Sequence, residues 1–133
     1  MKILIDTNIL ISAALNPDGL PSQAFFKAVT YPNKAIISKQ NLEELRRIFH
    51  KKFPTKINLL ESFLEIALNT ISVVPTPVKE YESENNIRDV MDRPILRAAI
   101  YANADVILTG DKDFLEADIS CPQILTAAEF LKL

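Results

Sequence analysis

The sequence predicts an α/β protein built on a parallel sheet, and two observations favour that class. Short apolar runs typical of buried strands recur at residues 2–5, 35–37, 71–74, 104–108 and 124–125. Between them lie segments whose apolar residues have helical spacing. Strands that alternate with helices form βαβ units, so we expect the strands to run parallel, with helices packed on the sheet.

The helices are expected between these strands and after the last of them. Pro21 suits the first turn of the second helix, and Pro54 ends the third. The stretch 79–88 is polar and acid-rich and has no clear period, so its acids are expected to be solvated. At 133 residues and without convincing linkers, the chain is predicted to form a single domain over residues 1–133. The predicted helices span residues 7–15, 22–29, 39–53, 56–69, 92–103 and 127–132.

Composition and charge exclude some functional classes. The net charge is −2, so the chain lacks the overall positive charge that is typical of nucleic-acid-binding proteins. With one cysteine, Cys121, and one histidine, His50, the chain can form neither an internal disulfide nor a zinc site of the usual Cys/His kind. No apolar run is long enough to cross a bilayer, and Asp6 and Asn8 interrupt the first one. We therefore expect a cytoplasmic protein that does not enter a membrane.

Acidic residues recur at one predicted edge of the sheet. Asp6 directly follows the first strand, and Asp111 and Asp113 follow the fourth. Asp92 begins the helix that leads to the fourth strand, and Glu44 lies in the second turn of the helix after the second strand. Ligands of open parallel sheets bind outside the carboxyl ends of the strands, at the point where the strand order reverses. The spacing therefore predicts that these acids lie close together.

Each acid alone also has a purely structural interpretation. Asp6 and Asp92 could cap the helices that they precede, and Asp111 could cap a short helix after the fourth strand. Glu44 could pair with Arg47 on the helix surface. The recurrence of acids at one sheet edge favours a shared function instead. In that case Thr7 and Asn8 could cap the first helix while Asp6 faces a metal ion.

Carboxylates gathered in one place repel each other unless they take up protons or bind a cation. Oxygen ligands suit Mg²⁺ or Mn²⁺, and two such ions can support in-line hydrolysis of a phosphodiester without histidine or lysine. If the five acids bind metal, the remaining acids are outnumbered by the 15 basic residues. Some of these bases cluster on the helix that carries Glu44, as a solvated face or as a surface that binds a phosphate backbone. The clustered bases are Arg46, Arg47, Lys51 and Lys52.

Four stretches of the sequence together resemble a known family. They are ILIDTNILISA, SKQNLEELRRIFHKKF, RDVMDRPILRAAIYANADVILTGDKDFL and ILTAAEFL. Nearly end to end, the chain resembles the PIN domain, and specifically the VapC-like ribonucleases and PIN-family toxins of toxin–antitoxin systems. The third stretch is the most specific. The resemblance implies a three-layer α/β/α sandwich around a parallel sheet of about five strands in the order 3-2-1-4-5.

The resemblance also implies a function and a site. The implied activity is Mg²⁺- or Mn²⁺-dependent cleavage of single-stranded RNA, with an antitoxin protein and a second copy of the chain as expected partners. Val90 and Met91 depart from the pattern of this branch, so we expect Asp89, which precedes them, to be peripheral. The implied catalytic residues are Asp6, Glu44, Asp92 and Asp111; the implied metal ligands are these four and Asp113; Thr7, Asn8 and Thr109 would orient them.

Two alternatives remain open at this point. One is a PIN fold that binds RNA or protein with weak or absent catalysis, although no implied ligand has been lost. The other is a phosphohydrolase or a receiver-like domain, which also places acids at the ends of parallel strands. That class needs a lysine near the acids, and Lys112 is the candidate.

Overall fold

The computed structural model describes residues 1–133 and centres on one parallel sheet. The five strands follow the order β3-β2-β1-β4-β5, and every neighbouring pair is parallel. Both the α/β class and the strand order agree with the prediction, which is thereby confirmed. The strands are β1 (Lys2–Ile5), β2 (Lys34–Ser38), β3 (Ser72–Val74), β4 (Val106–Leu108) and β5 (Gln123–Leu125).

Helices connect and flank these strands. The boundaries of the six predicted helices hold to within two residues, and the structure adds three short 3₁₀-helices and a four-residue α-helix after the fourth strand. None of the helices is both long and apolar enough to span a bilayer. The α-helices are α1 (Thr7–Leu15), α2 (Leu20–Val29), α3 (Lys39–Lys52), α4 (Ile57–Ala67), α5 (Arg93–Tyr101), α6 (Lys112–Leu115) and α7 (Ala127–Leu131), and the 3₁₀-helices are Pro54–Lys56, Glu82–Asn86 and Val90–Asp92.

The central strand β1 separates two apolar cores. Its side chains alternate between the faces of the sheet, as those of any strand do. Ile3 and Ile5 belong to the core that contains Phe49 of α3, whereas Leu4 belongs to the core that contains Leu96 of α5. Because β1 is buried on both faces, the molecule has the three layers that the resemblance implied.

The strand order reverses direction at β1, which pairs with β2 on one side and with β4 on the other. The backbone N–H of Asp6 continues this pairing past the end of β1 and donates to the carbonyl of Leu108, at 3.0 Å. Asp6 therefore lies beside the residue that follows β4, which is Thr109. The candidate acids after β1 and β4 are neighbours because of this register.

The acid-rich stretch before α5 contains an ion pair that the sequence did not indicate. Glu84 is only 3% exposed, and its carboxylate accepts hydrogen bonds from Arg97 of α5 at 2.8 to 3.2 Å and from the backbone N–H of Tyr81 at 2.6 Å. Arg97 also donates to the carbonyl of Pro77 and contacts Glu80. The prediction that these acids are solvated is wrong for Glu84, because Arg97 supplies a buried partner.

Candidate metal centre

A cavity of about 200 Å³ lies at the carboxyl edge of β1 and β4. Its wall includes four carboxylates that come from four different segments of the chain. They are the predicted catalytic acids Asp6, Glu44, Asp92 and Asp111. The structure thus brings together all four, and the remaining lining residues are Thr7, Asn8, Ile11, Ile48 and Ile95. No lysine or arginine lines the cavity.

Asp6 is 5% exposed and is held from three sides. Its Oδ1 accepts from the backbone N–H of Thr7 at 2.8 Å and from Nδ2 of Asn41 at 3.3 Å. Its Oδ2 accepts from the hydroxyl of Thr109 at 2.7 Å. The expectation that Thr7 and Asn8 cap α1 in its place is wrong, because the N-cap residue is Asp6 itself. Capping and facing the cavity are compatible, since the two oxygens of the carboxylate can serve different partners.

Thr109 joins Asp6 to the loop that carries Asp111. Its hydroxyl oxygen donates to Asp6 and also accepts from the backbone N–H of Asp111, at 3.0 Å. Asn8 supports the same loop from outside, because its Oδ1 accepts from the backbone N–H of Gly110 at 3.3 Å. Of the three predicted orienting residues, only Thr109 contacts a candidate acid through its side chain; Thr7 does so through its backbone.

Asp92 ends the 3₁₀-helix before α5, and its side chain makes no capping hydrogen bond to the helix. Its Oδ2 atom is buried and has no hydrogen-bond partner. A buried carboxylate oxygen without a partner is costly, so such an atom commonly faces a ligand. The side chain of Asp92 therefore does not cap the helix, and its Oδ2 atom is available to a ligand.

Burial and the neighbouring acids change the pKa values of Asp6 and Asp92. Burial raises the pKa of Asp6 from 3.8 to about 6 against the opposing hydrogen bonds from Thr109 and Thr7, and the charges of Asp111 and Glu44 raise it further. Burial and the charge of Asp111, followed by those of Asp89 and Asp6, raise the pKa of Asp92 to about 7. Both directions agree with a cavity that no lysine or arginine lines.

Two further acids lie at the outer side of Asp92. Carboxylate oxygens of Asp89, Asp92 and Asp113 all lie within 4.8 Å of one another, close enough to share a metal ion. Asp113 does not line the cavity, and its Oδ1 accepts hydrogen bonds from the exposed guanidinium of Arg88. Asp89, which we expected to be peripheral, is exposed and does not line the cavity either, so its role stays a prediction.

Helix α3 contributes two polar side chains to the site. Ser38 caps the helix and orients its first turn, since its hydroxyl accepts from the backbone N–H of Asn41 at 3.0 Å. Asn41 is fully buried and donates to Asp6, while its Oδ1 has no partner. Glu44 lies one helical turn further on and lines the cavity. The sequence analysis missed Asn41, although its spacing from Glu44 places the two on one helix face.

The predicted basic residues of α3 are divided between two faces. Arg46 points away from the cavity and donates to Glu61 of α4 at 3.3 Å. Arg47 and Lys51 are exposed and follow Glu44 by three and seven residues, which places them on its side of the helix. Arg47 makes no ion pair with Glu44, so the predicted surface pair is absent. Lys52 is exposed at the end of the helix.

The donor set fits a hard divalent cation. The wall of the cavity supplies only oxygen ligands, with the partnerless Oδ2 of Asp92 among them. Mg²⁺ and Mn²⁺ prefer such ligands, and they are held by a few carboxylates while keeping several waters. Asp6, Glu44, Asp92 and Asp111 would hold the ion, and Asp89 and Asp113 extend the acidic set outward. A bound divalent ion would also neutralise the charges that raise the two pKa values.

Comparisons with known proteins agree with this fold. A family model described as PIN domain matches residues 2–113. The chain is 29% identical over 120 residues to the uncharacterized protein MJ1680 of Methanocaldococcus jannaschii, a match that covers 86% of this chain and 74% of that protein. The family match includes all of the candidate acids.

Solved structures with the same fold include VapBC2 from Rickettsia felis, bound to a DNA fragment from its promoter. It matches with a TM-score of 0.72 and 20% identity, over 95% of this chain and 98% of that one. The sarcin-ricin-loop-cleaving toxin VapC20 of Mycobacterium tuberculosis matches with a TM-score of 0.60 and 13% identity, over 89% and 96%. PAE2754 from Pyrobaculum aerophilum matches with a TM-score of 0.59 and 16% identity, over 99% and 88%. At these identities the likenesses establish the fold.

Proposed function

Because the chain belongs to the PIN domain family, we propose that it is a metal-dependent endoribonuclease that cleaves single-stranded RNA. The observation that carries the proposal is the cavity in which Asp6, Glu44, Asp92 and Asp111 meet without a cationic side chain. Acids placed this way destabilise the fold unless a cation binds among them. The fold-level likeness to a toxin that cleaves the sarcin-ricin loop supports RNA as the substrate class.

The side chains have separable tasks in this proposal. Asp6, Glu44, Asp92 and Asp111 would hold the metal, with Mg²⁺ and Mn²⁺ as candidates. When bound there, the ion supplies Lewis-acid chemistry for phosphodiester hydrolysis. Thr109 keeps the carboxylate of Asp6 in one orientation through the hydroxyl hydrogen bond at 2.7 Å.

The RNA backbone would approach along the face of α3 that carries Glu44. Arg47, Lys51 and Lys52 are exposed and supply positive charge there. Arg46 is removed from this group because it pairs with Glu61 on the other side of the helix. The positive charge of this basic face would attract the RNA backbone and so offset the repulsion between the backbone and the acids of the metal centre.

The proposal extends to a toxin–antitoxin role, with an antitoxin protein and a second copy of the chain as partners. VapBC2 of R. felis, which has the same fold, supports that role. Expression of the wild-type chain in a bacterial host is expected to arrest growth, whereas Asp6→Asn is expected not to. Equal growth of both strains, at equal protein levels, would count against the toxin role but not against RNA cleavage.

The decisive experiment compares wild type with Asp6→Asn on a single-stranded RNA in Mn²⁺. An amide in place of the carboxylate keeps the shape of the side chain and removes its charge, so we expect kcat/KM to fall by about a thousandfold or more. The matched control is Asp118→Asn, an exposed acid whose side chain makes no hydrogen bond, and it is expected to retain full activity.

Excess EDTA is expected to abolish cleavage by the wild type. Cleavage that persists in EDTA or in Asp6→Asn contradicts the proposal. A protein that binds RNA but never cleaves it, with or without Mn²⁺, would indicate the alternative of a PIN fold that acts as a binding module. The phosphohydrolase alternative has no support in the structure, because Lys112 is exposed and does not line the cavity.

A further inference from the structure

A second cavity, of about 570 Å³, is lined by residues that neighbour those of the metal centre along the chain. The two cavities share no lining residue, but Arg93, which lines the second, directly follows Asp92, and Gln40, which also lines it, lies one turn of α3 before Glu44. The volume lies in the range of clefts that hold drug-sized ligands, which is the size class of a nucleotide. A nucleotide bound there and a phosphate bound at the metal centre would contact the same two segments of the chain.

One wall of this cavity is rigid. It is formed by the stretch around Glu84, whose carboxylate is fixed by Arg97 and by the backbone N–H of Tyr81. Each of the three nitrogens of the Arg97 guanidinium donates to Glu84, Glu80 or the carbonyl of Pro77. The charge of Arg97 is therefore neutralised within the fold.

Arg93 differs from Arg97 in this respect. Its Nε donates to the carbonyl of Ile87 at 3.0 Å, which fixes the plane of the guanidinium. Its two terminal nitrogens make no hydrogen bond and no ion pair, although the side chain is half-buried and lines the cavity. A fixed guanidinium with free terminal donors is suited to bind an anionic or carbonyl oxygen.

The other groups of the cavity wall suit a nucleobase. Gln40 and Asn85 offer amides that can both donate and accept, and Met91, which is 73% exposed, and Tyr81 offer surfaces for a flat ring. The rim also carries Glu80 and Glu82, whose charge disfavours an isolated phosphate at that end. Proteins that recognise single-stranded RNA commonly accommodate unstacked bases with this combination of groups.

We infer that this cavity is a nucleotide pocket that binds one unstacked nucleotide of the RNA beside the scissile phosphate. Arg93 contacts the phosphate or a carbonyl oxygen of that nucleotide, while Gln40 and Asn85 contact the edge of its base. The inference rests on the proposed function for the identity of the substrate. It assigns base preference to the nucleotide pocket and phosphate cleavage to the metal centre.

The first test measures binding without catalysis. Each of the four nucleoside 5′-monophosphates is titrated into ¹⁵N-labelled wild-type protein in EDTA, and inorganic phosphate is titrated in parallel. We expect saturable shifts in the Arg93 Nε–H signal and in the side-chain amide signals of Gln40 and Asn85, larger for one or two bases than for the others. Equal shifts with inorganic phosphate, or shifts confined to the basic face of α3, overturn the inference.

The second test uses Arg93→Gln, with Arg46→Gln as the matched control because Arg46 pairs with Glu61 outside the nucleotide pocket. Arg93→Gln is expected to weaken nucleotide binding about tenfold, since it removes a charge-assisted hydrogen bond. Arg46→Gln is expected to bind as the wild type does. Arg93→Lys keeps the charge but loses the planar guanidinium, and it is also expected to weaken nucleotide binding. It tests the nucleotide pocket even if Arg93→Gln folds poorly. Wild-type affinity in both Arg93 variants overturns the inference.

Cleavage of a random-sequence RNA pool separates this inference from the proposed function. We expect wild type to prefer particular bases at one position next to the cut, and Asn85→Ala and Gln40→Ala to lose that preference while cleavage continues. Cleavage with an unchanged base preference in both variants overturns the nucleotide pocket alone. Base-selective binding in the EDTA titration without any cleavage in Mn²⁺ contradicts the nuclease function and leaves the nucleotide pocket standing.

Discussion

Two clusters of acidic residues in this molecule differ in whether the chain supplies a cationic partner. At the metal centre, Asp6 and Asp92 face other carboxylates, and burial together with these like charges raises their pKa values to about 6 and about 7. Burial also acts to raise the pKa of Glu84, but hydrogen bonds from Arg97 and the Tyr81 backbone hold that pKa below its ordinary value. The same type of side chain is thus unpaired in one cluster and paired in the other.

This difference separates a structural acid from the acids that we propose as metal ligands. Glu84 stabilises the fold because its cation is part of the chain. Asp6 and Asp92 destabilise the fold at neutral pH because no cationic side chain lines their cavity. Burial alone does not distinguish the two cases, since Asp6 and Glu84 are about equally inaccessible, with exposures of 5% and 3%.

Breaking the paired cluster is expected to have the largest effect on stability. Glu84→Gln leaves the guanidinium of Arg97, whose side chain is 13% exposed, with only the exposed Glu80 as a charged partner. Loss of one member of a buried pair typically costs about 3 kcal/mol of unfolding free energy. Urea unfolding at pH 7 measures the change, with Glu82→Gln, an exposed neighbour, as the control. A loss in Glu84→Gln no larger than in Glu82→Gln would show that the pair contributes nothing.

The unpaired cluster is expected to produce the next largest effect, through pH. The folded-state pKa of Asp6 lies above its unfolded value of 3.8, so the folded protein binds more protons. Its contribution is therefore present at low pH and is lost as pH rises through about 6 for Asp6, with Asp92 extending the loss to about 7. For Asp6 the shift from 3.8 to about 6 corresponds to about 3 kcal/mol over the whole titration.

Urea unfolding in EDTA between pH 5 and 8 checks this pH dependence. Asp6→Asn is expected to flatten the slope, and Mn²⁺ is expected to restore stability at pH 7.5 in the wild type. Glu84 gives the opposite sign, because its pKa is lowered and its contribution is lost only as pH falls through the folded-state value. A wild type that becomes more stable from pH 5 to 8 without metal would contradict the assignment of unpaired charge to the metal centre.

The smallest expected effects concern the basic face of α3. Its residues Arg47 and Lys51 form no ion pair with the acids of either cluster. Arg47→Gln and Lys51→Gln are each expected to weaken RNA binding a few-fold at moderate salt and to reduce the dependence of log K on log salt by about 1. Arg46→Gln is expected to leave both unchanged, since Glu61 already holds Arg46. Filter binding at several salt concentrations measures the slopes, and identical slopes in all three variants would argue against this RNA path.

Much of the fold was predictable because its signals are local. Apolar runs mark the strands, and their alternation with helices predicts a parallel sheet. The acids of the metal centre were predictable for a related reason, since Asp6 and Asp111 closely follow strands that pair with each other. The PIN resemblance predicted the strand order, which the sheet confirms.

The remaining features depend on contacts between distant segments. Glu84 lies in a stretch without periodicity, and only the packing of α5 against it shows that Arg97 buries and neutralises it. Asn41 looks like an ordinary residue of the first turn of α3 until the register of β1 and β2 places it beside Asp6. Arg93 has free terminal donors because its Nε is held by the carbonyl of Ile87, a contact that no sequence pattern encodes.

The three-sided anchoring of Asp6 has a consequence for the order in which the chain assembles. β1 can pair with β2 early in synthesis. Its other edge stays unpaired until β4, which begins at Val106, has been synthesised. Until β4 and the loop after it have formed, Asp6 lacks the hydroxyl of Thr109, and the cavity lacks Asp111. A nascent chain therefore has no complete acidic cavity, and with it no proposed nuclease activity, before the residues through Asp111 have left the ribosome.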